Sequence, residues 1–167
     1  MILIEKTVKK MLKKIFFFST IALLAACTKE TMSTTENDKN PPIADIPEIE
    51  LLQVTPTTAQ QYVDSIAFTI QYQDGNGDLG NSDPDIPSIK LIDNRDPDLL
   101  VFNYHLSPRT PEGSELAIQG ELTIVLPNSI LLDDSNQSET TTFSISVIDR
   151  AGNESNLVET GTITITQ

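Results

Sequence analysis

The sequence predicts an all-β fold, a sandwich of antiparallel sheets with about seven strands, and three observations carry that prediction. From Ile49 onward apolar and polar residues alternate with a period of two. Clusters of Asp, Asn, Pro and Gly interrupt the alternation at short intervals, and no segment sustains a 3.6-residue period. Alternation puts one face of a strand on a core and the other in water. The interrupting residues suit turns because Gly takes positive φ, Pro fixes φ, and Asn and Asp bond their own backbone.

Before the first strand lies a segment of different composition. Lys6, Lys9, Lys10, Lys13 and Lys14 precede an apolar run from Ile15 to Ala26. A run of about twelve residues has the length of a signal h-region, whereas spanning a bilayer takes about 20. The run closes on Leu24-Ala25-Ala26-Cys27, which resembles the lipobox of bacterial lipoproteins. The resemblance implies cleavage before Cys27 and a diacylglycerol thioether on its thiol, with two or three acyl chains giving firm anchorage. Met11, followed by Leu12-Lys13-Lys14, offers a second start for the same signal.

Residues 27–48 read as a lipidated cysteine and a tether, rich in Thr, Ser and charge, then in Pro41, Pro42 and Pro47, with no apolar period. Such a segment buries too little surface to offset its ordering entropy. Five of the 11 Lys and Arg and one of the 24 Asp and Glu fall in residues 1–26. The remaining 141 residues therefore hold 6 basic and 23 acidic side chains, a net charge of −17. This balance argues against nucleic acid or an anionic membrane surface as a partner. With the single cysteine assigned to lipid, residues 49–167 form one domain that folds on its hydrophobic core without a disulfide.

The strands are expected at 49–55, 63–73, 88–93, 99–106, 116–126, 140–149 and 157–166. The clearest alternates Ile66, Phe68, Ile70 and Tyr72 with Ala67, Thr69 and Gln71. Phe143, Ile145 and Val147 do the same against Ser144 and Ser146. Seven short strands with this spacing suggest an immunoglobulin-like sandwich, and a small barrel is the other all-β layout. Val147-Ile148-Asp149-Arg150-Ala151-Gly152-Asn153-Glu154-Ser155-Asn156 resembles the last hairpin of bacterial immunoglobulin-like or cadherin-like extracellular domains. The antibody-type Trp and disulfide are absent, so the resemblance implies the architecture and leaves function open.

The densest chemistry follows the second strand, in Asp74-Gly75-Asn76-Gly77-Asp78-Leu79-Gly80-Asn81-Ser82-Asp83-Pro84-Asp85. Asp74, Asn76 and Asp78 stand at positions 1, 3 and 5 of an EF-hand-like loop, where alternate oxygens wrap a Ca²⁺. Leu79 occupies the glycine position and Asp85 that of the bidentate Glu, so the segment is closer to the calcium loops of extracellular β domains. In an immunoglobulin-like sandwich, loops 74–87, 107–115 and 150–156 gather at one end. That brings Asp149, Asn153 and Glu154 toward Asp74, Asn76, Asp78, Asp83 and Asp85 as one Ca²⁺ ligand set. The alternative is that Asp, Asn and Gly are only turn residues on an acidic surface.

Other polar residues read as structure. His105 is the only histidine and lacks the partners of a triad or zinc site, Ser129 and Ser155 have no base, and Asp133-Asp134 sits in a turn. An enzyme is therefore not expected. The readings imply a lipid-anchored cell-envelope protein of the outer membrane, on its periplasmic face or the cell surface. It would act as a non-enzymatic binding or structural module for a protein partner, with Ca²⁺ as the one cofactor its loops suggest. The alternative is a surface glycan-binding lipoprotein accompanying a polysaccharide importer. That reading calls on Tyr62 and Tyr104 as stacking platforms and is weakened by the absence of Trp.

Overall fold

Strands supply every regular element of the computed structural model, which describes residues 42–167. The signal segment 1–26, Cys27 and the tether up to residue 41 lie outside the described residues. Ten strands run in chain order: β1 (Glu48–Thr55), β2 (Thr58–Gln60), β3 (Ile66–Asp74), β4 (Ile89–Asp93), β5 (Val101–Tyr104), β6 (Ile118–Leu126), β7 (Ser138–Thr141), β8 (Phe143–Val147), β9 (Val158–Glu159) and β10 (Ile163–Thr166). All seven expected strands are present. The sixth is split at Thr142 into β7 and β8, and the seventh at residues 160–162 into β9 and β10. The short β2 was not expected, because three residues are too few to show a period.

The strands pair as β1-β3-β6, as β2-β10-β7 and as β5-β4-β8-β9. All pairs are antiparallel except β2 with β10, which is parallel and modifies the purely antiparallel expectation. Only Thr142 separates β7 from β8, so the second and third sets meet through a nearly continuous strand. The β3–β6 register runs unbroken from Ile66↔Leu126 to Asp74↔Ile118.

One core joins the sheets. Ile66, Phe68, Ile70 and Tyr72 of β3 are buried with Leu122, Ile124 and Leu126 of β6, and they share a cluster with Leu91, Phe143, Ile145, Val147 and Ile163 of the other strands. Phe68 meets Phe143 edge to face, with centroids 5.1 Å apart and planes at 60°. Burial at about 1.5–3 kcal/mol per large apolar side chain makes this cluster the main favourable contribution to folding. Strand β8 is buried on both faces, which alternation alone did not foretell. Its outward serines are covered and bonded, Ser144 to Asn94 and Ser146 to Glu154 (2.6 Å). The Asn156 side chain donates to Ile49 O and accepts from Ile49 N, tying β1 to the last hairpin.

The packed body begins earlier than Ile49. Pro47 is buried, and Ala44 O accepts a bond from Gly75 N at 2.8 Å, so residues 43–47 belong to the fold although they read as tether. At the end where β4 finishes, buried Asp93 takes a two-pronged bond from Arg95 and another from Thr141. Arg95 also donates to Glu139 at 2.8 Å. Glu139 accepts the amides of Leu132 and Asp133, which hold its carboxyl down at about 2 from an ordinary 4.5. A carboxylate lowered in this way adds stability that is complete above pH 4.5 and is lost as pH falls toward 2. Acid titration followed by circular dichroism should show that loss in the wild type. In Glu139→Gln the slope between these values should shrink and the midpoint at neutral pH should fall.

Candidate functional site

The inward-facing rows of two facing strands run out into carboxylates. On β3 the buried row Ile66, Phe68, Ile70, Tyr72 continues in phase to Asp74, which is wholly buried. On β8 the row Phe143, Ile145, Val147 continues to Asp149, 6% exposed. The two strands belong to different sheets and end at the same pole. Period-two geometry therefore carries both acids into the end of the sandwich.

Asp74 organises the loop that follows it. Its Oδ2 accepts the amide of Leu79 at 3.0 Å, folding residues 75–78 back on themselves, and Leu79 is wholly buried and bridges to Asp149. Neighbouring segments then close on the loop. Gly75 N donates to Ala44 O, Asn81 N to Leu106 O, Arg109 N to Leu79 O and Arg150 N to Asp78 O. The Thr110 hydroxyl bonds Gly77 O, and Arg150 Nη1 donates to Gly80 O at 3.1 Å. The loops expected to gather at one end do so, joined by residues 43–45. Gly77, at φ 71°, shows why the segment is rich in glycine. A Cβ there would lie 2.1 Å from Leu116 O, and one on Gly75 would lie 2.3 Å from Ile43 O.

The eight expected calcium ligands separate into groups. Asp74 feels the charge of Asp149, and Asp78 feels the charges of both Asp149 and Asp74. Burial pushes the Asp74 carboxyl up, amides including that of Leu79 pull it back, and Asp149 pushes it up again. Burial raises Asp78 first, then the charges of Asp149 and Asp74, while Arg150 opposes them. Asn76 accepts the Asp78 amide at 3.3 Å and shapes the turn. Asn153 holds both oxygens of Asp149, at 2.7 and 2.8 Å, and so positions it. The remaining three do not join them. Asp83 and Asp85 are exposed, with Asp83 capping the Asp85 amide, and Glu154 is bonded to Ser146 on the outer face of β8.

Two oxygens here stand apart: Asp74 Oδ1 and Asp78 Oδ1 are buried without a hydrogen-bond partner. Among the described residues no three His, Cys, Asp or Glu side chains stand together as a metal site. Above the loop opens a groove of about 650 Å³ whose lining includes Asp45, Asp78, Glu115 and Arg150.

The tyrosines do not form a platform. Tyr72 is buried, Tyr104 is packed against the core, and Tyr62 is 66% exposed with its amide on Ser129 O. His105 is exposed, with Nδ1 3.4 Å from Ile86 O. No protein-family model, curated protein or solved structure matches the chain.

The close approach at Gly77 yields a paired test. Gly77→Ala should lower unfolding free energy by about 2 kcal/mol or more, combining unfavourable φ with a backbone clash. Gly152→Ala has a similar φ of 87° but open space around its Cβ, and should cost about 1 kcal/mol. Urea denaturation midpoints measure the difference.

Proposed function

We propose that this protein is a lipid-anchored, non-enzymatic component of the bacterial cell envelope that presents the loop end of its sandwich to a protein partner. The observation that carries the reading is the gathered loop end itself. Four stretches of chain are bonded around one groove, and its rim carries Asp45, Asp78 and Glu115 against a single Arg150. A rigid scaffold with function concentrated on joined loops is the usual division of labour in β-sandwiches. The excess of carboxylates favours a basic face on the partner, since opposite potentials steer association.

The finer reading of the fold is immunoglobulin-like. It is supported by the β1-β3-β6 set facing β5-β4-β8-β9, and by the returning last strand whose second half lies beside β2. The lipobox Leu24-Ala25-Ala26-Cys27 supports anchoring at the outer membrane. The glycan reading draws on exposed Tyr62 alone and is the weaker one.

The reading is tested in intact cells. Cys27→Ser should abolish palmitate labelling and move the protein out of the membrane fraction. Unchanged labelling would contradict the anchor. Reversing Asp45 and Glu115 to Lys should leave the melting temperature nearly unchanged and remove the partner crosslinked to wild type; a retained crosslink would contradict the loop-end interface.

A further inference from the structure

A strand at the end of a sheet presents unpaired N–H and C=O groups to whatever lies beside it, and folds usually blunt such edges. Among the described residues the ends of the three sheets are β1, β6, β2, β7, β5 and β9. Four of these are short: β2 has three residues, β5 and β7 four each, and β9 two. β1 is broken by a bulge between Leu51 and Gln53, and Asn156 occupies both backbone groups of Ile49. β6 has none of these protections. It runs nine residues in unbroken register with β3, without Pro, Lys or bulge, and its inward residues Leu122, Ile124 and Leu126 are all apolar. Every second residue of an antiparallel edge strand turns its N–H and C=O away from its neighbour, so β6 offers a regular free ladder.

The space beside this ladder suits an added strand. A groove of about 370 Å³ lies along Glu121 to Val125 and is lined from the other sheet by Ile89 and Tyr104, with Leu106. Arg109, at the same groove, has its guanidinium over the Tyr72 ring at 6.0 Å. On the solvent face Glu121 lies opposite Gln71 and Gln71 opposite Glu50, while Glu48 lies opposite Gln73. Strands β1, β3 and β6 contain no Lys or Arg. We infer that β6 receives an extended segment of a basic partner protein as an added strand. Its apolar side chains enter the groove beside Leu122 and Ile124, and alternate Lys or Arg side chains lie beside Glu121 on the outer face. Main-chain bonds supply affinity in such additions, and alternate side chains supply selectivity. A second copy is a poor occupant, because its β6 has no cation for Glu121 and residues 27–167 carry a net charge of −17. The surface is separate from the loop end, and the inference does not rest on that reading.

Full-length protein in detergent, at about 0.15 M salt to limit unspecific attraction, is mixed with synthetic peptides the length of β6. One alternates valine with lysine and threonine, another has glutamate for lysine, and the last is the first with every backbone amide N-methylated. The lysine peptide should slow exchange of alternate amides among residues 121–125 about tenfold, with the rest of the protein unchanged. The glutamate and N-methylated peptides should bind at least about tenfold more weakly. Glu121 is exposed, so Glu121→Lys should leave the melting temperature nearly unchanged and reverse the preference between lysine and glutamate peptides. Asp45→Lys with Glu115→Lys should keep the wild-type preference, so this inference and the loop-end interface fail separately. No protection at about 1 mM lysine peptide overturns the inference. Equal binding of the N-methylated peptide also overturns it, since charge attraction alone would then explain the contact. A dimer that forms without peptide and is broken by Val125→Lys would give the edge to a second copy, and overturns it too.

Discussion

One hydrogen bond inside the sandwich sets the conformation of its loop end: the Leu79 amide donating to Asp74 Oδ2. It closes a six-residue loop on the strand that launches it and buries Leu79 against the opposite sheet. Leu79 O and Asp78 O then become acceptors for Arg109 and Arg150. A charge-accepting carboxylate gives a stronger bond than a neutral one, and burial strengthens it further. The cost is an acid in the core with its second oxygen unmatched.

The two ends of the sandwich answer the same problem in different ways. At one, Asp93 and Glu139 share Arg95, and Glu139 holds the amides of a neighbouring turn. That network is internally complete and is a structural fastening. At the other, carboxylates converge on one another, with raised proton affinities at Asp74 and Asp78. Incomplete satisfaction of buried polar groups concentrates where a fold does something besides hold itself together. The chemistry of the loop end follows from that asymmetry.

Much of this was legible in the sequence, for reasons that particular residues make plain. Alternation from Ile66 to Tyr72 located β3 and fixed its phase, and extending the phase by two reaches Asp74. Composition could not separate Asp74 and Asp78 from Asp83 and Asp85, which look alike in a run of Asp, Asn and Gly. The strand phase does so for Asp74, since Asp83 and Asp85 lie beyond the strand. Thr110, Ala44 and Arg109 escaped notice because they act through backbone groups or a single hydroxyl, at long range in the chain. Asn156 was visible only as part of a familiar hairpin, although its amide clamps β1. The glycines read as positive-φ turn residues, which Gly77 is, and in the fold Gly75 and Gly77 also permit close backbone approach.

The central claim is that the Asp74–Leu79 bond organises all the segments at the loop end, and amide hydrogen exchange on Asp74→Ala tests it directly. Removing the acceptor leaves a buried amide unmatched, at about 1–3 kcal/mol. The amides of Leu79, Arg109, Arg150 and Gly75 should therefore exchange together, about tenfold or more faster than in wild type, while the middle of β3 stays protected. Acceleration confined to Leu79, with Arg109, Arg150 and Gly75 unchanged, would contradict the account.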